Sequence, residues 1–334
     1  MLDDRKAAIL RAVVQEYIET AQPVGSAHVT RSGDLAVSSA TVRNEMALLE
    51  REGYLVQPHT SAGRIPTDKG YRFFVDQLAP AGGLQPGQRQ KVRDFFAKTH
   101  GELEQMLHDT SQLLSGLTDY AAVVVGPPHE VASIRSVQLV ALGQRVALLV
   151  LVLSNGVVEK HSIELGADVG EERVIAAGAR LAQHLVGRTP ADLGSVPSSG
   201  DAVTDAIADA ALGALRAASS TDAPDHVFVG GASRMAAAFD AVETVRGVLT
   251  ILEQQYVVVG LLRDVLDRGL SVAIGVEHGV EPLAECSVVV APYAVDGEHT
   301  GTIGVLGPTR MNYPQALAAV AVVSQRLGRH LHEG

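Results

Sequence analysis

Residues 37–71 read VSSATVRNEMALLEREGYLVQPHTSAGRIPTDKGY. Ser38 or Ser39 is placed to cap a helix that runs to Glu52 and stops at Gly53, because a serine hydroxyl accepts from the orphan amides of a first turn and glycine ends a last one. Val42, Met46 and Leu49 recur at i, i+4 and i+7, which gives this helix one apolar face. At about 100° per residue, the opposite side carries Ala40, Asn44 and Ala47, flanked by Thr41 and Arg43. Tyr54-Leu55-Val56 has strand character, His59-Thr60-Ser61-Ala62-Gly63-Arg64 is a polar hairpin tip, and Ile65-Pro66-Thr67 returns. Thr67 or Asp68 then caps a helix holding Tyr71, Phe73, Phe74, Val75 and Leu78. Helix, strand, tight loop, strand and helix in that order form the second half of a winged helix-turn-helix.

The preceding residues supply the first half. Asp3 or Asp4 caps a helix to about Thr20, with Ile9, Leu10, Val13, Val14, Tyr17 and Ile18 as a wide apolar stripe. Gln22-Pro23-Val24-Gly25 breaks it, Ser26 caps a short helix to about Arg31, and Ser32-Gly33-Asp34 makes the turn. In such a fold the helix from Ser39 is the reading element. Its small outward residues let the backbone approach a major groove, and its polar side chains reach base edges and phosphates. Arg43 and Asn44 are the central candidates, although Arg43 has an alternative partner in Glu50. Arg64 on the wing suits the negative potential of a minor groove. Lys69 and Arg72 flank the wing, as phosphate-positioning groups or as solvated charges.

The net charge of −11 opposes DNA binding until its distribution is counted. Residues 1–75 hold nine Lys and Arg against nine Asp and Glu, so the other 259 residues carry the whole −11. A neutral head on an acidic body calls for two copies of the head, local clustering of cations, or both. Cys286 is the single cysteine, which excludes an internal disulfide framework and a cysteine-based zinc site. No apolar run reaches the roughly 18 residues of a spanning helix, and the charged start MLDDRKAAIL lacks a secretory core. The expectation is a cytoplasmic protein with no membrane partner. With Trp absent and aromatics at 4%, the core must rest on Val, Leu, Ile and Ala.

Beyond residue 78, Ala79–Gly87 has linker composition. A long helix is expected over 88–117, then strands at Ala121–Val125, Ile134–Leu142, Val146–Leu153 and Val157–Ile163, joined by hairpin-type turns into an antiparallel meander. Two Ala-rich helices follow at Gly170–Val186 and Asp201–Ala217. Strand character returns at Val227–Gly230, Leu270–Val276, Ser287–Ala294 and Gly301–Leu306, with helices between and a closing helix at Gln315–His330. The fold class is α+β, with one domain interrupted by an insertion.

Two blocks go beyond a generic winged helix: VSSATVRNEMALLEREGYLVQPHTSAGRIPTDKGYRFFVD at 37–76 and GTIGVLGPTRMNY at 301–313. Both resemble the HrcA family of heat-inducible transcription repressors, over essentially the full length. The resemblance implies a dimeric repressor of heat-shock (chaperone) operons that binds an inverted-repeat DNA operator and depends on the GroE chaperonin, with activity lost on heat stress. It implies a winged-helix DNA-binding domain (1–78), a linker (79–87), a GAF-like domain in two segments (88–168 and 245–334) and an inserted helical dimerisation domain (169–244). The DNA-binding residues it implies are Ser39, Thr41, Arg43 and Asn44 on the reading helix and His59, Thr60, Ser61 and Arg64 on the wing. Ser38 at the helix cap and Lys69 behind the wing complete the candidate set.

No cofactor, metal or catalytic constellation is expected. His330 and His332 are the only close histidine pair and lack a third ligand nearby. Gly230-Gly231-Ala232-Ser233 lacks the lysine of a phosphate-binding loop, and no GxSxG elbow occurs. Asp296–His299 is expected as a turn, Arg310 as a link between elements and Cys286 as a small buried residue. The competing reading is a small-molecule sensor whose GAF-like domain binds a ligand that alters DNA affinity.

Overall fold

The computed structural model describes all residues except 1, 33–36, 60–61, 79–82, 99–102, 127–132, 155–157, 167, 191, 221–226, 237–238, 240–241, 269–270, 296–297 and 334. The N-terminal head contains α1 (Asp4–Thr20), α2 (Ser26–Ser32) and α3 (Ser39–Arg51), then the hairpin strands β1 (Leu55–Val56) and β2 (Ile65–Pro66), then α4 (Asp68–Phe73), which continues as one wider turn through Leu78. The caps are Asp3, Ser38 and Thr67, whose side chains accept from the amides of Lys6, Thr41 and Gly70. The expected apolar stripes are buried together: Ile9, Leu10, Val13 and Val14 of α1 against Val42, Met46 and Leu49 of α3.

The body is built on a five-stranded antiparallel sheet of order β7-β3-β10-β9-β8. Its strands are β3 (Ala121–Val125), β7 (Val227–Gly230), β8 (Val272–Ile274), β9 (Cys286–Val295) and β10 (Glu298–Pro308). Both faces are buried, so the strands are nearly continuous apolar runs. Ala122 and Val124 face one core with Val289, Ile303 and Val305. Ala121, Val123 and Val125 face the other with Val288, Val290 and Leu306. The first core is closed by α6 (Leu103–Thr118) and α12 (Tyr313–Glu333), the second by α9 (Ala232–Ala236), α10 (Val242–Glu253) and α11 (Gln255–Asp267).

A second sheet stands apart, with β4 (Ile134–Ala141), β5 (Val146–Leu153) and β6 (Val158–Glu164) as a meander. One face carries α7 (Glu171–Leu185) and α8 (Ala202–Ser220).

Three expectations change. The helix expected over 88–117 is two helices, α5 (Pro86–Lys98) and α6. Pro86 opens α5 inside the expected linker, a position where a missing amide costs nothing. The meander, expected to belong with β3, forms its own sheet with α7 and α8 over 134–220. Conversely β7, expected inside the insertion, pairs with β3 across Ala122–Val125. The strand-forming character of β3 and β4 is the same, and only pairing at long sequence separation divides them.

Gly70 in α4 lies where an added Cβ would overlap the Tyr54 carbonyl oxygen. Elsewhere in a helix, Gly→Ala stabilises by about 1 kcal/mol. Gly70→Ala is expected to do the opposite and lower the head's melting temperature, readable by differential scanning calorimetry. A raised Tm would show that α4 can shift freely away from the wing.

Candidate nucleic-acid interface

Burial of Val42, Met46 and Leu49 turns the other side of α3 outward, and Ala40, Arg43 and Asn44 are exposed there. Among the described residues neither Arg43 nor Asn44 makes a hydrogen bond or ion pair with another side chain. The three hydroxyls nearer the start of α3 are already engaged. The Ser38 hydroxyl accepts from the Thr41 amide at 3.2 Å and lies 3.0 Å from the Thr41 hydroxyl. The half-buried Ser39 lies 3.0 Å from the Ser26 hydroxyl and ties α3 to α2. So Ser38, Ser39 and Thr41 set the end of the helix, while Arg43 and Asn44 project from it.

The wing is fixed by backbone contacts. Val24 and Arg64 exchange amide–carbonyl hydrogen bonds of 2.9 Å each, outside the hairpin ladder. Gly63 lies so close to the backbone of Pro23 and Val24 that an added Cβ would collide with the carbonyls of both. The Gln57 side-chain amide donates to the Ala62 carbonyl at 2.8 Å and closes the tip, where His59 is exposed. Thr60 and Ser61, both expected at the tip, lie outside the described residues.

Two expected DNA contacts point elsewhere. Arg64 donates from Nε to Glu50 at 2.9 Å, and its side chain is only 15% exposed. It therefore braces the wing against the C-terminal end of α3, and Glu50 is taken by Arg64 rather than by Arg43. Lys69 donates from Nζ to the Glu52 carbonyl at 2.8 Å and lies 4.3 Å from the Tyr54 ring centroid. A cation at a helix C-terminus offsets the negative end of the macrodipole, and stacking on tyrosine adds to it. Nothing local in the sequence signals either pairing, since the partners are 14 and 17 residues away.

Arg72 likewise turns from the wing to the body. It grips Glu277 with two nitrogens, Nε at 3.0 Å from Oε1 and Nη2 against Oε2, and Nη2 also donates to the Val272 carbonyl at 2.8 Å. These hydrogen bonds hold its guanidinium above its ordinary pKa. Tyr71 is buried beside Tyr313, ring centroids 5.9 Å apart.

Among the described residues, one core of the body is closely packed. The space between the sheet and α10–α11, lined by Val123, Ile251, Leu262, Leu283, Val288 and Leu306, has a volume of about 10 Å³. Ligand pockets are typically of about 300–1,000 Å³. A larger groove, about 480 Å³, runs along the surface between β9 and α12 beside Tyr293, Ser324 and Arg329 and is open to solvent. Cys286 is fully buried, and burial pushes its thiol up to about 12. The GPTRM segment is a packed joint: Met311 is buried, and the Asn312 amide donates to the Tyr120 hydroxyl at 2.8 Å. Among the described residues no three His, Cys, Asp or Glu side chains converge as metal ligands. No single described helix is long and apolar enough to cross a membrane.

A four-helix head with a hairpin wing, carried on an α+β body, defines a winged-helix regulator. The family model described as HrcA protein C terminal domain matches residues 104–317. The heat-inducible transcription repressor HrcA of Symbiobacterium thermophilum is 37% identical over 98% of both chains. That of Streptomyces avermitilis is 38% identical over the full length of both. A solved crystal structure of a hypothetical protein superposes with a TM-score of 0.65 at 24% identity, covering 99% of this chain and 98% of its own. The chain belongs to the HrcA family of heat-inducible transcription repressors.

The Arg64–Glu50 brace predicts a measurable coupling. Arg64→Ala and Glu50→Ala are expected to destabilise the head non-additively, with a coupling energy on the order of 1 kcal/mol in a double-mutant cycle by chemical denaturation. Strict additivity would leave Arg64 free to contact DNA.

Proposed function

We propose that the protein is a negative regulator of heat-shock operons that binds an inverted-repeat operator as a homodimer, with α3 of each copy in a major groove. The observation that carries this reading is the outward pair Arg43 and Asn44 on a helix whose inner face and both ends are fixed. Arginine and asparagine are suited to bidentate recognition of guanine and adenine edges. His59, with Thr60 and Ser61, is assigned to the backbone or minor groove beside it. The locally neutral head on a body carrying −11 makes a second head necessary for tight binding.

In this reading the five-stranded sheet and its helices are the GAF-like domain, and the unit over 134–220 is the inserted dimerising element. Its second face supports the assignment. Val146, Leu148, Val150 and Val152 of β5 form an apolar stripe on the side away from α7 and α8. Val140 and Val158 beside it are 44% and 40% exposed. The stripe is flanked by Gln138 on β4 and by Lys160 and Ser162 on β6, an apolar centre with a polar rim, which is the usual make-up of an interaction site. Paired with a second copy it is covered; in a separated monomer it is the sort of surface a GroE-type chaperonin holds. Dependence on the chaperonin, and loss of repression when heat-denatured proteins occupy it, belong to the same proposal, and family membership together with this face supports them.

The test is a gel shift with an inverted repeat selected by the protein from a randomised duplex pool, with and without chaperonin and ATP. Arg43→Ala is expected to cost about 1–3 kcal/mol of binding, with circular dichroism unchanged. Wild-type affinity in that variant would remove α3 from the interface. Leu148→Glu is expected to sediment as a monomer by analytical ultracentrifugation. A dimer would place the interface elsewhere.

A further inference from the structure

The head meets the body through contacts of two kinds. The apolar one, Tyr71 on Tyr313, is non-directional, and the buried Tyr71 hydroxyl has no hydrogen-bond partner among the described residues. The polar ones are directional: the Val276 amide donates to Asp68 of α4 at 3.5 Å, and Arg72 grips Glu277. Before Arg72 is considered, the Glu277 carboxylate is already oriented by its own backbone: Oε2 accepts from the Ile274 amide at 2.8 Å, and the Glu277 carbonyl accepts from Arg268 at 2.9 Å. The turn that carries it requires Gly275, whose φ is +54° and where a Cβ would overlap the Asp68 carboxylate of α4. Arg72 closes a two-nitrogen fork on this fixed carboxylate, with side chains 23% and 30% exposed. Such a fork fixes angle as well as distance.

The orientation is transmitted to the reading helix. Within the head, α4 is bolted to the end of α3. The Thr67 hydroxyl donates to the Gly53 carbonyl at 2.7 Å, Lys69 reaches the Glu52 carbonyl, and Gly70 packs under Tyr54. A rotation of α4 is therefore a rotation of α3.

We infer that Glu277 is a positioning residue for DNA reading: acting through Arg72, it sets the angle at which the body presents α3, and so the separation of half-sites that a dimer can bind together. The inference rests on the proposed reading of α3 as a DNA-recognition helix in a dimer. Its leverage comes from the helical repeat of B-DNA. With about 10.5 bp per turn, a spacer change of one base pair rotates one half-site by about 34° relative to the other. A head of fixed angle must reject such a change, and a loosened head tolerates it.

The experiment uses full-length protein and the inverted repeat that the wild type selects from a randomised duplex pool. Affinities are measured by fluorescence anisotropy for that duplex, for versions with the spacer changed by one and two base pairs, and for a duplex holding one half-site. Wild type is expected to prefer its selected spacing by roughly tenfold. Glu277→Gln is expected to flatten that preference while half-site affinity stays within about twofold of wild type. Arg72→Gln breaks the same bond from the other side and is expected to flatten it equally. Tyr71→Phe, which removes only the unpartnered hydroxyl, keeps the wild-type preference. A wild-type spacing preference in both Glu277→Gln and Arg72→Gln overturns the inference. So does a parallel loss of half-site binding, which reports a damaged head. If wild-type protein selects no inverted repeat, the DNA-reading proposal itself fails, a result distinct from either.

Discussion

Burial of the five-stranded sheet on both faces is the constraint from which the other parts take their places. Side chains alternate along β3, β9 and β10, so each strand feeds two cores at once. One core receives α10 and α11 and is filled nearly to closure. The other receives α6 and α12, and through Tyr313 at the start of α12 it extends to Tyr71 of the head. The winged helix is thus seated on an extension of the body's own interior. Where the chain approaches most closely, glycine makes the contact possible: Gly328 of α12 lies against the Ala294 carbonyl and Gly304 against that of Val289.

The head was legible in the sequence to within a residue or two at most boundaries, for physical reasons. The 3.6-residue period of Val42, Met46 and Leu49, the caps and the glycine stop are all local signals, and the burial of α3 follows them. The body's strands were legible as strands. Their partners were not, because β3 pairs with β7 and β10, which lie far along the chain, while its nearest neighbour β4 joins another sheet. The outward placing of Arg43 and Asn44 is a consequence of helical periodicity. The engagement of Arg64, Lys69 and Arg72 with groups of the protein itself is a consequence of tertiary neighbours, and in the case of Arg72 the partner is 205 residues away.

Charge placement in the head follows a common logic. Of the nine cations in the head, several neutralise its own acidic groups or helix ends: Lys6 on Glu52, Arg64 on Glu50, Lys69 on the Glu52 carbonyl. Pairs near the surface contribute little individually, but they offset charge that would otherwise attract any polyanion. What remains outward on α3 is a small patch of Ala40, Arg43 and Asn44.

The buried cysteine carries a consequence of a different kind. Oxidants act on thiolates, and on thiols they can reach. Cys286 is sealed at the start of β9 with its proton held to about 12, and Met46 and Met311 are sealed as well. Met106 and Met235 are buried too, so among the described residues a peroxide finds little accessible sulfur while the chain is folded.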